Sequence, residues 1–312
     1  MTPAAFAYRQ FHNQPPGSPL DRWLTDLWAA VRAETRGRLQ VRVCPQNDGV
    51  PGGDPQALQM LWAGEVEFAT LMGGLLGTVA PVAEITGLPF AFSSHAQVFA
   101  AIDGALGDYV RRELLAKGIY AVPRACFENG FRHVSTSTKP IEGAGDLVGL
   151  RIRTPAGRLF VDFFESLGAR PAVINLNRLH EALAGGTVEA QENPLAMIEV
   201  NRLYEVQTCL SLTGHMWSGF NLLANAERWR ALPAGVQQVV ERLAPHYAGL
   251  QREQTIALDA ELPARLAGRG MRVNTADVTG LRAGLAAFYA RWKRELGARA
   301  WALLEAEVGR RR

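Results

Sequence analysis

The sequence predicts an α/β fold built as two units, each a sheet flanked by helices. Three observations predict it. Short segments with period-two alternation are interleaved with segments of helical period, in the order strand, helix, strand, helix, strand. That order occurs twice. Beyond Trp229 the pattern is nearly all helical and long enough to lie across both units. The length of 312 residues agrees, because roughly 100–200 residues make one domain with its own core.

Each element has a local reason. AFAYRQF (Ala5–Phe11) alternates as a first strand. Ser18 then stands as a helix cap, with Pro19 at the first helical position and Asp21 three residues after the cap. The stripe Trp23, Leu24, Leu27, Trp28 and Val31 gives that helix a core face. RLQVRVCP (Arg38–Pro45) is a second strand, DPQALQMLWAG a helix and VEFATLM (Val66–Met72) a third strand. Interleaving of this kind builds a mostly parallel sheet with helices on both faces. In the middle of the chain, Gly118–Phe127 and Phe131–Ser137 read as two strands. LRIRTP is another strand, with Thr154 and Pro155 opening the helix AGRLFVDFFESLG. RPAVIN, RLHEALAGG and VEAQENP continue as strand, helix and short strand.

Bulk properties exclude several classes. The chain is 48% hydrophobic and 20% charged, with a formal net charge of +3, as in an ordinary soluble globular protein. The excess positive charge is spread out, so nothing calls for nucleic acid or a membrane surface. Cys44, Cys126 and Cys209 lack metal-site spacing and read as buried free thiols, with one disulfide left open. No apolar run reaches the roughly 20 residues of a membrane span. The opening MTPAAFAYRQF has no basic region followed by an apolar one, so the residues alone place the chain in the cytoplasm.

Chemistry concentrates at Arg153. In open parallel sheets ligands bind beyond the carboxyl ends of strands. Arg153 sits at such an end, against the expected start of a helix, where free N–H groups favour an anion. An arginine fork there suits a carboxylate or phosphate; the plain alternative is a hydrated surface arginine. Asn193 in QENP offers an amide to a ligand or braces a turn. Arg132 either joins a site or pairs with Glu128 or Asp146. The histidines share no metal spacing, and no nucleophile motif, P-loop or G-x-G-x-x-G follows a strand. PGGDP (Pro51–Pro55) reads as a turn. The missing catalytic constellation favours a binder over an enzyme.

In order, ENGFRHVSTSTKPI, DLVGLRIRTPAGRLFVDFFESLGARP, ALAGGTVEAQENPL and LYEVQTCLSLTGHMWS resemble the DctP family, the solute-binding proteins of TRAP (tripartite ATP-independent periplasmic) transporters. The resemblance covers nearly the whole chain. It implies a two-lobed periplasmic-binding-protein-like fold, each lobe a sheet flanked by helices, with long helices spanning both. Lobe I would comprise 1–128 plus about 219–258, and lobe II 129–218 plus about 259–312, with the ligand cleft between them. It further implies that Arg153 pairs with a ligand carboxylate, Arg132 supplies a second basic contact and Asn193 an amide. His12 and Asn13, at the end of the first strand, are placed to reach ligand hydroxyls, or else to cap a turn. Met72 and Gly73 occupy a stretch that often contacts ligand. Leu176 replaces an aromatic residue common in the family, and Trp217 stands where tyrosine is frequent, as a substitute aromatic wall. The QENP segment argues against a bound cation, so neither metal nor cofactor is expected.

The implied function is a monomeric extracytoplasmic receptor that is not an enzyme. It would close on a small organic carboxylate, a sugar acid or other hydroxy acid, and deliver it to the membrane permease subunits of a TRAP transporter. The implied place is the periplasm, the export signal being trimmed or encoded upstream. Two alternatives stay open: a ligand-sensing receptor for a signalling partner, and a binder of an apolar or aromatic carboxylate.

Overall fold

The computed structural model describes residues 5–309. Its strands are β1 (Phe6–Phe11), β2 (Leu39–Cys44), β3 (Phe68–Met72), β4 (Ile119–Thr136), β5 (Arg151–Thr154), β6 (Arg170–Val173), β7 (Ala190–Pro194), β8 (Cys209–Asn225) and β9 (Arg272–Thr275). They form one sheet in the order β2-β1-β3-β8-β4-β7-β5-β6, with β9 beside β8.

The first βαβαβ unit forms as its sequence pattern predicts. β1 pairs in parallel with β2 and β3. The intervening helix Pro19–Glu34 is capped by Ser18, whose hydroxyl accepts the Asp21 amide at 3.3 Å. It buries Leu20, Leu24, Leu27, Trp28 and Val31 against the sheet, whereas Trp23 stays half-exposed and donates to Gln254. The second unit repeats the logic with β5 between β6 and β7, all parallel.

The two units are stitched by strands that the alternation pattern does not separate out. The segments expected as two strands, Gly118–Phe127 and Phe131–Ser137, are one continuous β4. β8, which runs through GHMWSGF, is its antiparallel partner, so the sheet is mixed rather than mostly parallel. Both strands are buried along most of their length, which removes the alternation that marks a half-exposed strand. Register shifts between Ala121 and Cys126, Glu128 and Gly130, and Arg132 and Val134 mark irregularities midway. Such bulges bend a strand and terminate regular pairing locally.

Three further expectations are corrected. The helix after β5 begins at Arg158, not at Thr154-Pro155. Thr154 completes the strand, and Gly157 caps the helix at φ 144°, where a Cβ would lie 3.0 Å from the Gly74 carbonyl oxygen. The helix's Leu159 amide is taken by the Glu84 carboxyl group at 2.8 Å, so this helix end is already capped by a side chain of the protein. The third correction is β9, a parallel neighbour of β8 within the stretch read as helical.

The remainder of that stretch is helical. Ala234–Gly268 runs for 35 residues, with Pro245 and Pro263 inside it, and packs along β4 and the helix Pro19–Glu34. Helices Ala286–Leu296 and Ala298–Val308 join the largest apolar cluster, which also holds Val98, Ile102 and Leu106 from the first unit and Phe160, Phe163 and Phe164 from the second. The C-terminal helices therefore bridge the units. All three cysteines are buried and free. No described helix is long and apolar enough to cross a membrane.

Candidate functional site

A cleft opens where the two parallel units face each other across β4 and β8. Its lining comes from the turn after β2, the helix start at Gly53–Pro55, the end of β3, the middle of β4, the exit of β5, the start of the helix Leu176–Ala184 and the end of β7. Apart from the middle of β4, these segments lie at the carboxyl ends of the parallel strands, where the chain turns outward.

Arg153 lies at the base of the cleft. It is 2% exposed, and its Nε donates to the Ile174 carbonyl at 2.7 Å. Its terminal nitrogens have no protein partner among the described residues, and the side chain lines the cavity. Burial pulls its pKa down to about 10, with Glu192 and Asp54 acting in the opposite direction. A desolvated guanidinium with a free fork is a strained arrangement electrostatically, and an incoming carboxylate relieves it.

Arg132 is equally buried but differently used. Its fork engages Glu192 through Nε and Nη2, and Nη2 also donates to the Glu192 carbonyl at 3.0 Å and to Asn193 Oδ1 at 3.3 Å. Nη1 reaches Ser218 Oγ at 3.2 Å, and the plane lies 5.1 Å from the Phe160 ring. The partner is thus Glu192, rather than Glu128 or Asp146. Burial works against the Glu192 carboxylate, but Arg132 and His215 outweigh it and hold the group below its usual range. His215 faces Glu192 Oε2 at 3.3 Å and Thr213 at 2.8 Å.

The structure gathers five of the residues singled out in the sequence around the cavity: Arg153, Asn193, Asn13, Met72 and Leu176. The other four lie outside its lining. Arg132 stands behind Asn193 and Met72. His12 is turned to the first helix, its Nε2 3.0 Å from Asp21. Gly73 and Trp217 line a separate apolar crevice beside Cys126 and Leu114. The Trp217 indole donates to Glu128 at 2.7 Å, so the ring that faces the cleft is Phe220.

Sequence reading missed most of the polar lining. Seven asparagines border the cavity: Asn13, Asn47, Asn129, Asn175, Asn177, Asn193 and Asn201. Each presents a donor and an acceptor. Gln46 and Asn47 reach it from left-handed backbone (φ 53° and 51°), a conformation asparagine tolerates. Asp54, from the PGGDP turn, accepts Asn13 Nδ2 at 2.6 Å and Asn47 Nδ2 at 2.7 Å. The only signal available in sequence was the density of Asn after strand ends, which also fits ordinary turns. Across the mouth, Asn175 Nδ2 donates to the Gly52 carbonyl at 2.9 Å and Asn177 Nδ2 to the Pro51 carbonyl at 3.4 Å, joining the two rims.

Comparison with known proteins agrees with this architecture. The profile of a family described as bacterial extracellular solute-binding protein, family 7 (DctP), matches residues 11–295. A solute-binding protein of Verminephrobacter eiseniae is 31% identical over 268 residues, covering 86% of this chain and 79% of that protein. An uncharacterized protein of Sinorhizobium fredii is also 31% identical over 268 residues, and there the chain spans only 48% of the relative's length. Among solved structures, a TRAP periplasmic solute-binding protein from Polaromonas sp. JS666, bound to D-erythronate, superposes with a TM-score of 0.90 at 28% identity, covering 96% of this chain and 98% of that one.

Proposed function

The chain belongs to the bacterial extracellular solute-binding protein family 7, and from that premise we propose that it is a periplasmic receptor for a small organic carboxylate, which it delivers to the membrane subunits of a TRAP-type transporter. It binds and releases its ligand without chemical change. The observation that carries the reading is Arg153: a buried guanidinium with a free fork, opening into a cavity walled by amides. A carboxylate fits the fork, and hydroxyl groups fit the asparagines. The D-erythronate bound by the Polaromonas relative is a ligand of this kind, so the ligand here is a hydroxy acid or sugar acid.

Residues 1–128 with about 219–258 act as one lobe and 129–218 with about 259–312 as the other, the last helices bridging them. The irregular middle of β4 and β8 is the hinge. Closure brings Asn175 and Asn177 against Gly52 and Pro51. The ligand favours this state only by its greater affinity for it. Arg132 holds Asn193 in place through the Glu192 network, while Arg153 and Asn193 touch the ligand.

A thermal-shift screen of sugar acids, hydroxy acids, keto acids, dicarboxylates and aromatic carboxylates tests this. A ligand at 100 times its dissociation constant adds about 2.7 kcal/mol of stability, a plain rise in Tm. A stabilising carboxylate that is recovered unchanged supports the proposal. Conversion of the acid to a product overturns it, as does a full panel with no shift.

A further inference from the structure

We propose that the cleft selects polyhydroxy monocarboxylates over the dicarboxylates of the same carbon skeleton, and that Asp54 makes the distinction. The proposal rests on Arg153 holding one ligand carboxylate.

The charges available to a ligand are few. Among the residues lining the cavity, Arg153 is the one cation and Asp54 the one anion; the polar remainder is seven asparagines and Gln46. Arg132, the other guanidinium nearby, is closed off by Glu192 and offers no second fork. A ligand with one carboxylate therefore finds one guanidinium, and a second carboxylate finds none.

Asp54 is built to stay where it is. It lies in the first turn of the helix Gly53–Ala63, where the helix dipole favours an acid. Each oxygen accepts one amide N–H, Oδ2 from Asn13 and Oδ1 from Asn47. Both donors border the cavity too, so the three side chains form one fixed unit. A carboxylate oxygen has two lone-pair sites, and one amide fills only one of them. The free position suits the O–H of a ligand hydroxyl. Burial raises the Asp54 pKa, and the two amide bonds and Arg153 oppose that rise without cancelling it. A terminal CH2OH of the ligand donates to Asp54; a terminal carboxylate in its place brings two like charges together in a buried cleft and has no proton to donate. Like-charge juxtaposition at an interface is strongly unfavourable, and a site built to hydrogen-bond a hydroxyl strongly rejects an analogue that lacks it. The turn PGGDP, which in sequence looks like a plain connection, thus supplies the one acidic group of the cavity lining.

Calorimetric titration of the whole protein with matched pairs tests this: D-erythronate against meso-tartrate and D-gluconate against D-glucarate, each pair differing only by CH2OH or carboxylate at one end. The expected result is a preference of about 100-fold or more for at least one aldonate over its partner. In Asp54→Asn, which keeps the shape and removes the charge, the preference narrows by about tenfold or more. Asp54→Ser serves the same purpose if the first variant does not fold. Equal binding of both members by the unmodified protein overturns the proposal, and so does an unchanged preference in a folded variant. If both pairs fail to bind while another carboxylate does, this proposal falls and the receptor reading stands. If no carboxylate binds, the receptor reading falls with it.

Discussion

Arg132 and Arg153 are both buried, at 0% and 2% exposure, yet the protein treats them in opposite ways. Arg132 sits in the long strand β4, with Glu192 of the neighbouring β7 engaging its fork and Ser218 of β8 taking Nη1. Arg153 sits at the end of the short strand β5, held only by a carbonyl at its Nε. Glu192 engages the fork of Arg132, whereas the fork of Arg153 has no partner among the described residues. The carboxylates divide the same way. Glu192, with its arginine, is held low, whereas Glu128 faces only His95 at 3.9 Å, whose own pKa burial lowers, and burial pushes Glu128 up to about 8, against the Trp217 hydrogen bond. Burial alone does not distinguish the two arginines; the presence or absence of a bonded carboxylate does.

The comparison breaks first at the saturated pair. Arg132→Ala should destabilise the protein by about 3–5 kcal/mol, because it strands the Glu192 charge in the interior. Urea unfolding without ligand measures this as a lower midpoint. A loss below about 1 kcal/mol would show that the network carries little. Arg153→Ala should do the reverse: stability without ligand changes little, but removing one partner of a desolvated pair costs binding about 2–5 kcal/mol, roughly 30- to several-thousand-fold in Kd. Arg153→Lys should be nearly as harmful, since lysine has no bidentate fork. Calorimetry with the cognate acid decides it, and a loss under about threefold removes Arg153 as the anchor.

Glu128 sharpens the contrast on the acidic side. Its folded pKa of about 8 lies above the ordinary 4.5, so the folded state keeps a proton that the unfolded state gives up. Its contribution is complete below about pH 4.5 and is lost as pH rises towards 8, a fall of a few kcal/mol at about 1.4 kcal/mol per pKa unit. Glu128→Gln should flatten much of that fall. Asp259, raised to about 7 by burial, leaves a residual slope in the same direction. Unfolding curves at pH 5 to 8 for both proteins check this, and parallel profiles would argue against it. The smallest effect belongs to Arg151, two positions before Arg153. It is exposed and bonds the Gly186 and Thr187 carbonyls at 3.1 and 3.2 Å. Arg151→Ala should change stability by less than about 1 kcal/mol and leave the Kd unaltered.

Local signals carried well where one physical rule dominated. Ser18-Pro19 and the stripe behind them placed the first helix, and the alternation in Phe6–Phe11 and Leu39–Cys44 placed two strands. They failed where burial erased alternation, as in β8, or where one strand passes through bulges, as in β4. Thr154-Pro155 has the composition of a helix start, but β5 pairs with β6 through Thr154, and the close approach of Gly157 to Gly74 postpones the helix. Arg153, Asn193, Asn13, Met72 and Leu176, singled out from their positions after strand ends and from the family motifs, line the cavity. The places of Arg132, His12, Gly73 and Trp217 relative to the cavity were not, because direction around a twisted, bulged strand is settled by pairing across the sheet.

The sequence by itself determined the α/β class, the repeated unit, the first helix and its cap, and the family through its ordered motifs. Each of these rests on residues close together in the chain. Only the tertiary structure decided which buried arginine is free. Glu192, which fills the fork of Arg132, is sixty positions away from it in the chain. Whether a charge has a counterion depends on distance in space, and that is settled only when the sheet brings remote strands together.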